Sequence, residues 1–187
     1  MRVRDVVLRV AMEAPPSGYY EIFGIEKKLA LDVEGLQRRF YERSREWHPD
    51  RHARASSEQR EFAEQATATL NDAWRVLRDP VARAEYFLSQ AGVKTESKNV
   101  PPDLLEEVFE LNMALEEARD GDAGAKAQVA AALTRFTAML ESLDNDRDSL
   151  FTRIDSGETA AVAALRGLLD KRKYLQNLVR DARASVE

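Results

Sequence analysis

Trp47-His48-Pro49-Asp50-Arg51-His52 is the stretch whose reading decides the fold. Pro49 has no backbone N–H and pushes the residue before it out of the α region, so a helix begun near Asp32 must stop by about Trp47. A fixed turn follows. It displays an imidazole, a carboxylate and the Arg51 guanidinium at an exposed loop tip, a place where rigid scaffolds often carry function. Taken alone, such a turn is only a helix terminator, and its flanks decide whether it is more.

Upstream, Asp32 is a good N-cap, and Leu36, Phe40, Ser44 and Trp47 follow at spacings of four, four and three, which makes one buried face. Arg38, Arg39, Arg43 and Arg45 are assigned to the opposite face, against Glu34, Glu42 and Glu46. Net positive charge here would steer an acidic surface toward the loop tip, although mixed charges on a helix are ordinarily a solvated face. A short helix around Tyr19 to Phe23 should end at Gly24, which suits a left-handed C-cap. Downstream, Phe62, Ala66, Leu70, Ala73 and Leu77 mark the apolar side of a second long helix, from about Ser57 to Leu77. It should return antiparallel to the first, making a helical hairpin with the His-Pro-Asp turn at its tip. Asp79-Pro80 then opens a further helix to about Gln90, with Tyr86, Phe87 and Leu88 expected over the hairpin base.

Composition sets the outer limits. The chain has 187 residues, enough for one sizeable core or two small ones. Charged residues make up 33 % and aromatics 7 %, which favours an all-α protein. A net charge of -5 argues against a general nucleic-acid binder. There are no cysteines, so disulfides and thiolate metal sites are excluded. No apolar run approaches the roughly 18 residues of a membrane span. Arg2, Arg4 and Val6-Val7-Leu8 hint at a signal sequence, but Arg9 cuts the apolar run short, and Asp5 and Glu13 are wrong for a transit peptide. Pro15-Pro16-Ser17-Gly18 reads as a break. Residues 1–18 are therefore expected to be an N-terminal arm and the protein to be cytoplasmic, with no membrane partner.

The second half begins after a polar stretch, residues 92–100, that reads as a linker. Pro101-Pro102 opens a helix from about Asp103 to Arg119, in which Leu104, Val108, Leu111, Leu115 and Ala118 form one stripe. Leu105, Phe109 and Met113 form a second, about 100° around the helix. This apolar surplus is either a broad core face or an exposed binding strip, and the pattern leaves both open. Val129, Leu133, Phe136, Leu140 and Leu143 mark the next helix, from about Ala125 to Leu143. Asn145 to Gly157 is a charged connection able to extend either flanking helix. The last helix, from about Glu158 to Ala184, carries Ala161, Leu165, Leu168, Leu175, Val179 and Ala182, with Arg172 on the same stripe. Three amphipathic helices with short connections favour an antiparallel bundle.

Catalysis finds little support. His48, Asp50 and His52 lack the ligand set of a usual zinc motif, there is no Gly-rich phosphate loop, and no third histidine could serve a nucleophile. The expectation is no metal, no cofactor and no enzymatic activity of the chain's own.

Tyr20-Glu21-Ile22-Phe23-Gly24-Ile25, Leu36 to Phe40, His48-Pro49-Asp50 and Leu70-Asn71-Asp72-Ala73-Trp74-Arg75-Val76-Leu77 resemble a J-domain in order and spacing. Asp79-Pro80-Val81-Ala82-Arg83-Ala84-Glu85-Tyr86-Phe87-Leu88 narrows this to a resemblance to the HscB family of co-chaperones in iron-sulfur cluster assembly, over roughly residues 19 to 184. The resemblance implies a J-domain hairpin at 19–91 and a three-helix scaffold-binding domain at 101–187. Some relatives carry a cysteine-rich segment before the J-domain, which this chain lacks, and without cysteines it cannot hold a cluster on thiolates. By position, His48, Pro49 and Asp50 inherit docking on a DnaK-type ATPase chaperone, with Arg38, Arg39, Arg43, Arg45 and Arg51 supplying electrostatic attraction. The ATP belongs to that partner.

For the second half, the resemblance implies a grip on the iron-sulfur scaffold protein. Leu105, Phe109, Glu110 and Glu117 match the family's helix positions, and Tyr174 matches its aromatic, which could equally be a core-edge side chain. Glu106 and Met113 depart from the pattern, standing where an apolar and an acidic side chain are expected. Eight acids against Arg119 alone between Asp103 and Asp122 suit a basic partner patch. The expected function is delivery of the scaffold to the chaperone and stimulation of its ATPase. The alternative is a general J-domain co-chaperone for assorted or unfolded clients, weakened by the lack of a Gly/Phe-rich linker and a zinc module.

Overall fold

A computed structural model describes residues 17–52, 55–94 and 100–186. Residues 1–16 of the expected arm and 95–99 of the expected linker lie outside that set. The described residues form seven α-helices and two 3-10 turns, with no strand among them, so the fold is all-α as expected. The chain divides into two compact units between Tyr86 and Phe87.

In the first unit, α1 (Tyr19–Phe23) ends at Gly24 with φ 61° and ψ 41°, a left-handed cap that costs glycine little. Asp32 caps α2 (Val33–Trp47) by accepting from the Gly35 amide at 2.9 Å. Opposite it, α3 (Ser57–Arg78) starts in a capping box: Ser56 Oγ accepts from the Gln59 amide and Gln59 Oε1 from the Ser56 amide. The two helices pair as a hairpin around Ile22, Phe23, Leu36, Leu70, Ala73 and Leu77, all buried. Phe40 stacks on Trp74 with centroids 5.2 Å apart and closes one edge of that core. Asp79 then caps α4 (Pro80–Gln90) through the Ala82 amide at 2.7 Å. Arg83 reaches back to donate to the last-turn carbonyl of Leu77 at 2.6 Å. Of the three side chains expected over the hairpin base, Tyr86 is there, stacked on Tyr19 with centroids 4.4 Å apart. Phe87 and Leu88 belong to the second unit.

That second unit is an antiparallel three-helix bundle. A 3-10 turn (Pro102–Leu104) leads into α5 (Leu105–Arg119), followed by α6 (Ala123–Asp155) and α7 (Ala160–Val186). Leu104, Val108, Leu111, Val129, Phe136 and Leu175 form the centre of its core. Each such side chain contributes on the order of 2 kcal/mol by leaving water. Asp122 caps α6 through the Ala125 amide at 2.7 Å.

α6 runs on to Asp155 instead of stopping near Leu143, because the charged segment has its own core: Leu150 and Phe151 are buried, and Arg147 is only 7 % exposed. The Arg147 guanidinium bonds Asp144 at 2.6 Å and Asp148 at 2.9 Å and lies 5.8 Å over the Phe151 ring. Gly157, at φ 97°, finally turns the chain. Arg172 lies on the α7 stripe without shifting its register: Leu168, Leu175 and Val179 stay buried on either side, and the guanidinium donates to Asp144 at 2.8 Å.

Candidate functional site

The hairpin tip is built to hold one shape. His48 has ψ 126°, the extended value imposed by the following proline, and residues Pro49–His52 form a 3-10 turn. A helix end leaves its last carbonyls without intrahelical donors. Here each finds one. Arg51 Nη1 donates to the Arg45 carbonyl at 3.0 Å, His52 Nε2 to Glu46 at 3.0 Å, Thr67 Oγ1 from α3 to Trp47 at 3.0 Å, and the Arg51 amide to His48 at 2.9 Å.

With the backbone so fixed, the Asp50 amide donates to His48 Nδ1 at 3.3 Å. That assignment puts the proton of the neutral imidazole on Nε2, a donor available to a partner. The Asp50 side chain is 90 % exposed, with its Oδ2 3.6 Å from His48 Nδ1. Arg51, the side chain expected to attract a partner, pins the end of the helix that carries the loop.

The four arginines of α2 do not share one face. Arg38, Arg39 and Arg45 are exposed. Arg38 lies 3.5 Å from Asp32, and Arg39 donates to the Phe23 carbonyl at 3.5 Å. Arg43 departs from the expected placement. It is half-buried at the core edge, 5.2 Å over the Trp47 ring and bonded to Glu46 at 3.2 Å. The reason is periodicity: four and seven residues separate it from Trp47 and Leu36, so it falls on their side of the helix.

On α5 the second apolar stripe is exposed. Leu105 is 56 %, Phe109 67 % and Met113 46 % accessible, while Leu104, Val108, Leu111, Ala114 and Ala118 are buried. The broad core face is thereby ruled out, and the second stripe is a surface strip. Glu110 and Glu117 are exposed beside the strip, as is Glu106. Tyr174 is half-buried on α7 against the bundle core, and burial raises its hydroxyl above the ordinary tyrosine range. Three residues before it, Lys171 is ion-paired with Asp103 in the turn that starts α5. Tyr174 thus sits toward the end of the bundle where the strip begins.

Sequence reasoning missed His52 and Thr67 as caps. The available signal was that donors follow a proline stop just where carbonyls are left open. Among the described residues, no group of three or more histidine and acidic side chains gathers in a way that could hold a metal ion, and no helix is long and apolar enough to cross a membrane.

Comparison with known proteins joins these two surfaces. Residues 18–86 match the DnaJ domain family, and residues 100–183 match the HSCB C-terminal oligomerisation domain. The structure of the chaperone HscB from Vibrio cholerae is 30 % identical, covers 89 % of this chain and 96 % of its own, and superposes with a TM-score of 0.65. The chain belongs to the HscB family. The crystal structure of the human co-chaperone protein HscB shares the fold at 21 % identity and a TM-score of 0.67, covering 91 % of this chain and 84 % of its own. The first unit is accordingly a J-domain whose loop is His48-Pro49-Asp50, and the protein is an HscB-type co-chaperone, a kind of protein not known as an enzyme.

Proposed function

We propose that the protein binds an iron-sulfur cluster scaffold protein on α5, delivers it to a DnaK-type chaperone and, through its J-domain, stimulates that chaperone's ATPase without catalysis of its own, in the cytoplasm. Residues 19–91 would serve the chaperone and 101–187 the scaffold. The observation that carries this reading is the exposed strip of Leu105, Phe109 and Met113, flanked by Glu110 and Glu117, on a helix whose other stripe already supplies a complete core. Apolar side chains of this size left in water along one helix face are what a partner's apolar surface can cover, and the flanking acids select a basic rim.

At the other site, Asp50 is an exposed acceptor that a partner arginine can grip bidentately. The capped turn holds it in place, so little conformational freedom is left for binding to remove. Arg45, exposed on the same helix, adds attraction toward an acidic surface, while Arg38, Arg39, Arg43 and Arg51 do so less directly because local partners occupy them. Stimulation requires that the J-domain bind the hydrolysing conformation of the chaperone more tightly than the resting one.

The test is single-turnover ATPase of the host's DnaK-type chaperones with this protein, with and without purified scaffold. A joint rate well above either addition alone is the expected result. Equal stimulation by any unfolded peptide, with nothing added by the scaffold, would replace this reading with a general co-chaperone.

A further inference from the structure

Beside the exposed strip, α5 and α6 enclose an open groove of about 560 Å³. One wall is α5, with Phe109 and Met113 at the rim and Glu110 and Glu117 along it; the other is α6, with Gln128, Ala131 and Arg135. Ala114 and Ala132 are buried beneath, and three small side chains in a row leave the space that larger ones would fill. Arg135 is exposed, and among the described residues it forms no ion pair. It is also the one cation lining a groove whose opposite wall is acidic.

The helices run antiparallel through a tight turn at Asp120–Asp122, which sets the register along the groove. Arg135 faces the Phe109 and Glu110 end, and Gln128 faces the Glu117 end. Seven residues separate Glu110 from Glu117 and Gln128 from Arg135, about 10 Å at the helical rise.

We infer that this groove is the second half of the scaffold-binding surface, seating a partner segment whose apolar side chain lies over the alanines between an acidic residue that meets Arg135 and a basic residue that meets Glu117. This rests on the scaffold-binding reading above and adds its specificity. An acidic α5 alone would accept any basic, apolar segment. Arg135 repels such a segment at one end and rewards only one that carries an acid about 10 Å from its base, so the wrong client is rejected by charge as well as the right one attracted. The groove is continuous with the strip through Phe109 and Met113, so one partner can cover both.

Isothermal titration of the full chain with the purified scaffold protein tests this, using wild type, Phe109→Ala, Ala131→Trp and Arg135→Glu. Ala131 and Arg135 are exposed, so thermal unfolding should be unchanged in both groove variants. Each is expected to weaken binding about tenfold, one by filling the groove and the other by reversing its charge. In a scan that changes the scaffold's acidic residues singly to lysine, one change should restore binding to Arg135→Glu. If Phe109→Ala weakens binding while both groove variants bind like wild type, the groove proposal is overturned and the scaffold reading stands. If Phe109→Ala also binds like wild type, the scaffold reading falls and the groove with it. Failure of every lysine change to rescue Arg135→Glu overturns the acid pairing.

Discussion

Arg51 Nη1 donates to the carbonyl oxygen of Arg45 at 3.0 Å, so the side chain just after His48-Pro49-Asp50 closes the end of the helix just before it. Arg51→Ala removes that donor and leaves the carbonyl to water, at a cost of about 1 kcal/mol in urea unfolding. It should also speed amide exchange at Asp50 and Arg51 in the free protein, and lower chaperone stimulation because the loop is less fixed. Unchanged exchange combined with lost stimulation would mean that Arg51 acts only by touching the partner.

Leu104 and Leu105 are neighbours in sequence with opposite environments, 1 % and 56 % exposed. Leu104→Ala opens a cavity in the bundle core and should destabilise by about 2–5 kcal/mol. Leu105→Ala and Phe109→Ala should leave the unfolding midpoint within about 0.5 kcal/mol of wild type and weaken scaffold binding instead. A large stability loss in Leu105→Ala would show that the strip is core after all.

Much of this is legible in the sequence, for identifiable reasons. Asp32, Gly24, Asp79-Pro80 and the proline stop at Pro49 are local rules, set by one or two residues and insensitive to distant packing. What was not legible depends on contacts across the fold. The apolar surplus of α5 could not be divided into core and surface until α6 and α7 had taken one stripe. Arg43 has the charge of a solvated side chain but the periodicity of the core side of α2, and its stacking on Trp47 lets its long side chain lie along the core edge. The charged segment 145–157 is readable as a connection or as an extension of either flanking helix, because its polar residues outnumber its apolar ones. Arg147 is neutralised within the helix by Asp144 and Asp148, which no composition window reports.

That neutralisation makes a prediction of its own. Asp144 accepts from both Arg147 and Arg172, whereas Asp148 accepts from Arg147 alone among the bonds seen in this cluster. Asp144→Asn should therefore destabilise more than Asp148→Asn, by about 1–2 kcal/mol once solvent screening is allowed for, since both carboxylates are partly open. Arg147→Met, which keeps a stem over Phe151, should cost less than Arg147→Ala. Chemical denaturation of the four variants ranks them, and equal costs for the two aspartates would refute the shared role of Asp144.

The Asp103–Lys171 pair gives a pH dependence whose sign follows from its chemistry. The Lys171 ammonium holds the Asp103 carboxyl below the ordinary aspartate range. A carboxylate with a folded pKa below its unfolded value, about 3.9, contributes its stability above that value. The contribution is lost as pH falls through the folded pKa. Because the Asp103 side chain is mostly exposed, screening keeps the effect below about 1 kcal/mol. Asp103→Asn should thus be slightly less stable than wild type at pH 7, and the gap should close on acidification as wild type protonates through its lowered folded pKa. The pair ties the start of α5 to α7, so the same variant should show faster amide exchange around Leu104 and Leu105 at pH 7. A stability gap that widens on acidification would reverse the sign and remove the pair as its cause.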